Sequence, residues 1–189
     1  MNKTKRKIFQ IAIKLFSEKG YDKTSIEEIT AVAGVAKGSL YYHFSKKEDI
    51  FDLLLEEGIK LLKNSIEIKT RDLNTALEKI KAIIMVQIKV SVKYEDLLNV
   101  IFSEMWGKDS KNIKCRNVVF DYIEIIKEVI REGIASGEFY DGDVDALAAG
   151  IFGCTYSSLI YRLKVHEEVD IQKVYEGFLD TVVRGISKI

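Results

Sequence analysis

The chain has 189 residues, of which 47% are hydrophobic, and its 29 basic residues are balanced by 29 acidic ones. This length and apolar content allow one large or two small domains with a sizeable buried core. The longest uninterrupted apolar run, 146–154, is far shorter than the roughly 20 residues of a membrane span, which argues against a membrane protein and predicts a soluble, cytoplasmic one.

The N-terminal segment predicts an amphipathic helix. Its apolar side chains recur at three- and four-residue spacing: Ile8, Ile11, Ala12, Leu15 and Phe16. Gln10 and Lys14 interrupt the apolar run, so the segment does not have the composition of a signal peptide.

Residues 24–50 carry the most informative pattern, two short helices around a tight turn. Thr24 is expected to cap the first helix, Ser25–Ala33, and Glu27 stands where a capping box places its acidic partner. Gly34 should end this helix, because glycine adopts the left-handed conformation without a Cβ penalty. The second helix is predicted over Ala36–Phe44, which completes a helix-turn-helix.

The second helix has a face suited to DNA. Leu40 and Phe44 share one side and should pack inward. The other sides carry small residues for close approach, hydrogen-bonding aromatics and a cation: Lys37, Gly38, Ser39, Tyr41, Tyr42 and His43. This pattern favours a recognition helix over an ordinary helical hairpin in a bundle.

Charge is distributed unevenly along the chain. Residues 1–47 hold ten basic and four acidic side chains, a net charge of +6, which leaves −6 for the remainder of a neutral chain. A basic module joined to an acidic one is typical of a protein whose first part neutralises phosphates. A flexible basic N-terminus that only aids solubility would not explain Lys37, Lys46 and Lys47, which lie within or beside the second helix.

The rest of the chain predicts long helices, and the absence of proline leaves them without kinks. Their expected bounds are Lys46–Ile68, Leu73–Lys93, Glu95–Gly107, Ser110–Ser136, Asp143–Val165 and Asp170–Ser187. The fold class is therefore all-α. The charge change sets the predicted domains, 1–47 for DNA binding and 48–189 for ligand binding and dimerisation.

The first 57 residues resemble the DNA-binding domain of the tetracycline-repressor-like (TetR) family, in the successive motifs FSEKGYDKTS, IEEIT, AGVAKGSLYYHF and SKKEDIF. An EGIASGEF step before the penultimate helix is a further similarity. The resemblance implies an all-α homodimer of about nine helices, in which three bind DNA, about six form a ligand pocket and the last two pair across the dimer. By motif position it implies DNA contacts at Thr24, Ser25, Lys37, Gly38, Ser39, Tyr41, Tyr42, His43 and Lys47.

Two positions depart from the family pattern, Ala36 and Thr30, and Thr30 replaces a common Ala. Ala36 stands where the family usually has a Ser or Thr cap, so a stabilisation of ~1 kcal/mol is expected to be missing.

The last two helices are candidates for a dimer interface. The penultimate helix is rich in small residues that allow close backbone approach, and the final helix has a wide apolar stripe. The predicted interface residues are Leu147, Ile151, Tyr175, Phe178, Leu179 and Val182. The alternative is that both helices simply complete the core of one chain.

Polar and aromatic residues of the central helices are the candidate ligand contacts: Gln87, Asn99, Trp106, Arg116, Tyr122 and Tyr156, with Glu104 and Tyr161 as further possibilities. The expected partners are a double-stranded DNA operator, a second copy of the chain and a small apolar or amphipathic effector.

These features predict a ligand-responsive transcriptional regulator that such an effector releases from a palindromic operator. The alternatives are a helical ligand-binding or scaffolding protein without DNA binding, and an all-α enzyme. His43 and His166 are the chain's two histidines and no catalytic motif is present, so no catalytic residue, metal or cofactor is predicted. Cys115 and Cys154 lack metal-ligand spacing.

Overall fold

A computed structural model describes residues 1–165 and 169–186, without the side chains at positions 164, 181 and 182. Helices dominate the described residues, and the all-α prediction is confirmed. In chain order they are α1 (Lys3–Lys19), α2 (Ile26–Ala33), α3 (Lys37–His43), α4 (Lys47–Thr70), α5 (Ala76–Lys93), α6 (Glu95–Glu104), α7 (Ser110–Ala135), α8 (Val144–Val165), α9 (Ile171–Phe178) and α10 (Arg184–Ile186). A π-helical turn, Leu179–Val183, lies between α9 and α10.

The chain packs as two compact units, each made of two separate stretches. Unit 1 comprises residues 1–60 and 95–118, and unit 2 comprises 61–94 and 119–189. The predicted boundary between the DNA-binding and ligand-binding domains, at residue 47, was based on charge. The two units are defined by packing and do not test it, so this boundary stays a prediction.

In unit 1, α1 packs against α2, α3 and α6. The predicted apolar face of α1 supplies Ile8, Ala12 and Phe16, which are all fully or nearly fully buried. Phe16 also meets the Tyr21 ring, with the ring centroids 5.0 Å apart. The helix-turn-helix is thus held by a core that α1 builds from residues spaced three and four apart.

The turn between α2 and α3 forms as the glycine predicts. Gly34 adopts the left-handed conformation at φ 61°, and its N–H donates a hydrogen bond to the Ala31 carbonyl at 3.1 Å. Val35 N–H donates to the Thr30 carbonyl, also at 3.1 Å. Ala36 precedes α3 without a side-chain cap, as expected from its missing hydroxyl.

The first helix of the motif begins one residue later than predicted. Ser25 caps α2, since its hydroxyl accepts a hydrogen bond from the Glu28 N–H at 3.1 Å. The predicted Thr24–Glu27 capping box is therefore wrong. Thr24 and Ser25 both have a hydroxyl group that could cap α2. The Thr24 side chain is buried in the core, so the cap is Ser25.

In unit 2, α5 packs against α8 and α9. The interior is largely isoleucine: Ile80, Ile83, Ile84, Ile88, Ile126, Ile130 and Ile151 are all buried. The spacing of the α5 members repeats every three or four residues, which is why this segment forms a helix with one buried face.

The EGIASGEF step, residues 132–139, has a structural role in unit 2. Gly137 takes a positive φ of 79°, and Gly133 leaves the space that the buried Phe139 ring fills. The Glu138 carboxylate accepts hydrogen bonds from the Leu77 and Ala76 N–H groups at 3.0 and 3.1 Å. These bonds, first the one from Leu77, hold the pKa of Glu138 below its usual range, so an ionised carboxylate caps α5.

The final helix is interrupted, although the pattern predicted a continuous one over Asp170–Ser187. Its hydrogen bonding changes at the π-helical turn, and Ser187 lies outside the described residues. A π turn bonds residues five apart, and Phe178 and Val183, at that spacing, are both buried. The apolar pattern of the sequence does not reveal this change, because both the α-helical and the π-helical spacing place apolar residues on the inner side of the helix.

Candidate nucleic-acid interface and ligand site

The outward face of α3 is open to solvent. Leu40 is fully buried, whereas Tyr42 is 83% exposed and Tyr41 is 45% exposed. Lys37 and Gly38 are exposed as well. Ser39 and His43, half-buried, complete the predicted set on this helix. The face therefore offers hydrogen-bonding groups that a nucleic acid could reach.

Lys37 joins the two helices of the motif through an ion pair. Its ammonium group lies 2.5 Å from the Glu27 carboxylate and 5.9 Å from the centroid of the Tyr41 ring. The hydrogen bond lowers the pKa of Glu27 and raises the pKa of Lys37. Because both side chains are exposed, the pair is weak in water and Lys37 can exchange Glu27 for a phosphate.

Thr24 and Ser25 lie at the start of α2 in different environments. Thr24 is 1% exposed, and its hydroxyl donates to the Gly20 carbonyl at 2.9 Å and lies 3.3 Å from the Leu15 carbonyl. Ser25 is exposed, with its hydroxyl engaged as the cap of α2. Thr24 thus fixes the backbone before α2, while Ser25 remains at the surface.

Lys47 points its charge at its own chain. Its ammonium group donates to the backbone carbonyls of Tyr21 and Thr24 at 2.8 and 2.9 Å, and lies 4.2 Å from the Tyr21 ring centroid. Two of its three donors are therefore used to hold the turn between α1 and α2. In this arrangement Lys47 positions the motif.

A second lysine meets the same ring. Lys111, in the first turn of α7, lies 4.5 Å from the Tyr21 centroid. It forms ion pairs with Asp22 at 2.7 Å and with Glu104 at 3.0 Å. Sequence reasoning missed this cluster, because its members come from distant elements and no local spacing connects them.

Three of the predicted ligand contacts meet in the interior of unit 2. The Tyr122 hydroxyl donates to Gln87 Oε1 at 2.9 Å, and Gln87 Nε2 donates to the Phe152 carbonyl at 3.2 Å. The Phe152 ring stacks on Tyr156 with centroids 6.2 Å apart. Burial raises the pKa of Tyr122, which keeps its hydroxyl neutral and able to donate. Tyr122 and Gln87 thus find hydrogen-bond partners inside the unit.

The other three predicted contacts belong to unit 1 and do not join that cluster. Arg116 donates to the Met105 and Gly107 carbonyls at 2.8 and 2.6 Å. Asn99 Nδ2 lies 3.5 Å from the Ser17 hydroxyl, and Trp106 is exposed. These residues were predicted as ligand contacts because they are polar or aromatic. The Arg116 guanidinium, however, is engaged in hydrogen bonds to nearby backbone carbonyls.

The outward face of α8 is made of small residues. Ala146, Ala149, Gly150, Cys154, Ser157 and Ser158 are exposed there. Apart from the neighbouring residues and the backbone of α8 itself, no atom of the described residues lies within 4 Å of a Cβ placed on Gly150 or Gly153. Among the described residues, one stretch, Val144–Leu163, is long and apolar enough to cross a membrane by length and composition. Only 22% of its most apolar part is buried within the protein. An apolar helix thus leaves one side uncovered.

The predicted interface residues divide between the interior and the surface. Ile151 and Phe178 are buried within their own chain, which leaves little of either side chain for a partner. Leu147, Tyr175 and Leu179 are half-buried. The Val182 side chain lies outside the described residues.

A helix-turn-helix with an open recognition face, in a chain of helices, defines a DNA-binding transcriptional regulator. The family description "Bacterial regulatory proteins, tetR family" matches residues 8–54, and "YsiA-like protein, C-terminal region" matches residues 55–184. The chain belongs to the tetR family of bacterial regulatory proteins, which confirms the resemblance predicted from the motifs.

Individual relatives match over nearly the whole chain. The fatty acid metabolism regulator protein of Bacillus subtilis is 27% identical over 181 residues, covering 95% of this chain and 93% of the relative. A proposed fatty acid metabolism regulator from Clostridium perfringens has a TM-score of 0.89 at 28% identity, covering 97% of this chain and 100% of the other.

FadR from Bacillus subtilis, solved in complex with stearoyl-CoA, has a TM-score of 0.81 at 25% identity, covering 96% of this chain and 98% of FadR. These relatives are transcriptional regulators. The function of this chain is that of a ligand-responsive transcriptional repressor.

Proposed function

We propose that this protein is a cytoplasmic, homodimeric repressor whose α3 helices read a palindromic operator and whose effector is an amphipathic acyl thioester. The exposed α3 face carries the proposal. Tyr42 stands outermost on it, and its hydroxyl has no hydrogen-bond partner among the described residues. A side chain that is exposed and unsatisfied in the free protein is available to base edges in a groove.

The proposed DNA contacts are those that face outward on and beside α3: Ser25, Lys37, Gly38, Ser39, Tyr41, Tyr42 and His43. The excess of basic residues in 1–47 supplies attraction to phosphates. Thr24 and Lys47 act by holding the backbone of the motif. Residues 1–47 therefore form the DNA-binding part, and 48–189 the effector-binding and dimerisation part.

The effector class is inferred from the relatives. Two of them are regulators of fatty acid metabolism, and FadR was solved with stearoyl-CoA. A long acyl chain needs an apolar binding site, and the interior of unit 2 is rich in isoleucine and aromatic side chains. These observations favour an acyl thioester over a small polar metabolite as the effector.

Dimerisation is inferred from α8. Its exposed small residues would let a second α8 approach closely, and a palindromic operator is matched by a two-fold protein. A partner helix would also cover the apolar side of α8 in water, so we interpret this helix as an interface and not as a membrane span.

The proposal is tested by selecting operator sequences from a random duplex library and measuring affinity for the selected duplex by fluorescence anisotropy. We expect sequence preference, a strong dependence on salt, and release of the duplex by stearoyl-CoA. A protein that binds random and selected duplexes equally would not be a sequence-reading regulator. One that binds no duplex at low salt would instead match the scaffolding alternative.

Effector coupling is tested by measuring stearoyl-CoA affinity with and without saturating operator. Linkage requires each ligand to weaken the other by the same factor. Shifting the DNA-binding population from 99:1 to 1:99 requires about 5.5 kcal/mol of differential binding. Equal affinities in the two conditions would show that this ligand and the DNA site are not coupled.

A further inference from the structure

An open groove of about 390 Å³ lies on unit 2 beside α5. Its rim carries three lysines, Lys69, Lys81 and Lys89, and its floor includes Met85, Val86 and the half-buried Tyr175. Tyr175 was predicted as an interface residue, but the structure places it in the lining of this groove. Cations above an apolar floor make a surface that suits an amphipathic anion.

The three groove lysines have no ion-pair partner among the described residues. Other lysines of unit 2 do: Lys63 pairs with Asp121 at 3.5 Å, and Lys79 pairs with Glu132 at 2.6 Å. The chain is formally neutral, so acidic residues are not scarce. The groove thus brings together three lysines whose ammonium groups are not neutralised by an ion pair among the described residues.

One carboxylate, Glu78, also lines the groove. It accepts hydrogen bonds from the Thr75 hydroxyl at 2.9 Å and from the Thr75 N–H at 3.2 Å. The second of these bonds, together with the bond from the Glu78 N–H to the Thr75 hydroxyl, forms the capping box of α5. The bonds that the carboxylate accepts, first the one from the hydroxyl, lower the pKa of Glu78, so it stays ionised. Three cations against one occupied carboxylate leave the rim positive.

The spacing of the cations favours an extended polyanion over a single carboxylate. Lys81 and Lys89 are both on α5, and a helical rise of 1.5 Å per residue separates them by about 12 Å along the axis. Lys69 is in the last turn of α4. A head group that carries phosphates at separate positions can meet cations this far apart, whereas a fatty-acid carboxylate meets one.

We propose that this groove binds the phosphate-bearing head group of the effector, with Lys69, Lys81 and Lys89 as its cationic contacts. The inference rests on the proposed function, because it assigns a place to one part of an acyl thioester. Charge-assisted hydrogen bonds from ammonium to phosphate supply the affinity, and the apolar floor covers the uncharged stretch between phosphates.

The first test is protection of lysines from acetylation by acetic anhydride, read by mass spectrometry, with free coenzyme A or stearoyl-CoA present. We expect lower labelling of Lys81 and Lys89 and unchanged labelling of Lys63. Equal labelling of Lys81 and Lys89 with and without both probes would overturn the proposal. This readout does not depend on operator DNA.

The second test compares the double variant Lys81→Gln, Lys89→Gln with the matched control Lys63→Gln, which removes a charge from the same unit outside the groove. We expect stearoyl-CoA to bind about tenfold more weakly to the double variant and equally to the control, with stearate affinity unchanged in both.

The outcomes separate the two proposals. Protection by coenzyme A without release of operator by stearoyl-CoA would keep the groove and remove the acyl thioester as effector. Release of operator from wild type and double variant at the same stearoyl-CoA concentration, with no protection, would keep the effector and remove the groove.

Discussion

The outward faces of α3 and α8 are both uncovered, yet their side chains differ. The α3 face presents long hydrogen-bonding groups, with Tyr42 and Tyr41 open to solvent. The α8 face presents alanine, glycine, serine and cysteine, with open space around Gly150. Hydrogen-bonding side chains suit a nucleic-acid groove, whereas small residues suit another helix at close range. Exposure alone therefore does not define a function, and side-chain size and polarity decide between partners.

The largest effect is expected on α8. Gly150→Glu places a charge where the partner helix would lie, so the protein should sediment as a monomer and lose about a hundredfold in operator affinity, because the two half-sites are no longer linked. Replacing a helical glycine by glutamate favours the helix by roughly 0.5 kcal/mol, so the monomer should stay folded. Analytical ultracentrifugation and anisotropy measure both effects.

Asn117→Glu is the matched control, since it places the same charge on an exposed position of α7. It should leave the dimer intact. If Gly150→Glu remained a dimer at micromolar concentration, α8 would not be the interface.

A smaller and more selective effect is expected on α3. Tyr42→Ala should weaken operator binding by about 1–3 kcal/mol while changing random-duplex binding much less, because base-edge contacts carry sequence information and phosphate contacts do not. Tyr42→Phe isolates the hydroxyl and should reproduce the loss if that group makes the contact. Equal losses on both duplexes would argue against base readout by Tyr42.

The smallest effect on DNA is expected beside the motif, at Lys47. Lys47→Ala removes two hydrogen bonds to the Tyr21 and Thr24 carbonyls, so it should lower the free energy of unfolding by about 2 kcal/mol. The salt dependence of DNA binding should be unchanged. Denaturant unfolding and a salt titration test these two statements.

Lys46→Ala provides the comparison, because Lys46 is exposed and adjacent. It should leave stability unchanged. A salt slope lowered by about 1 in Lys47→Ala, with stability unaltered, would instead make Lys47 a phosphate contact, as the family resemblance implied.

Much of the motif could be predicted because its signals are local. Gly34 marks the end of α2, and the spacing of Leu40 and Phe44 identifies the inner side of α3. The error at Thr24 has a physical reason. Threonine and serine cap helices by the same hydrogen bond, so sequence offers two adjacent candidates, and only packing of Thr24 into the core selects Ser25.

The candidate sites outside the motif were less predictable. Gln87, Tyr122 and Tyr156 were chosen as polar or aromatic residues of central helices, and in the structure hydrogen bonds and ring contacts join them into one cluster. Asn99, Trp106 and Arg116 met the same criterion but lie in unit 1. Residue type cannot separate these groups, because the hydrogen-bond partner of each comes from the fold.

The sequence by itself determined the class of this protein: an all-α chain with an N-terminal helix-turn-helix and an outward face on α3. The helices, the turn and the outward face of α3 follow from periodicity, helix caps and charge. These are local signals, each carried by residues that are close together in the sequence. Tertiary structure alone decided that Lys47 and Lys111 converge on Tyr21, that Phe178 is buried while α8 stays open, and that Lys69, Lys81 and Lys89 share a groove. Each of these depends on contacts between helices distant in sequence, which no local pattern encodes.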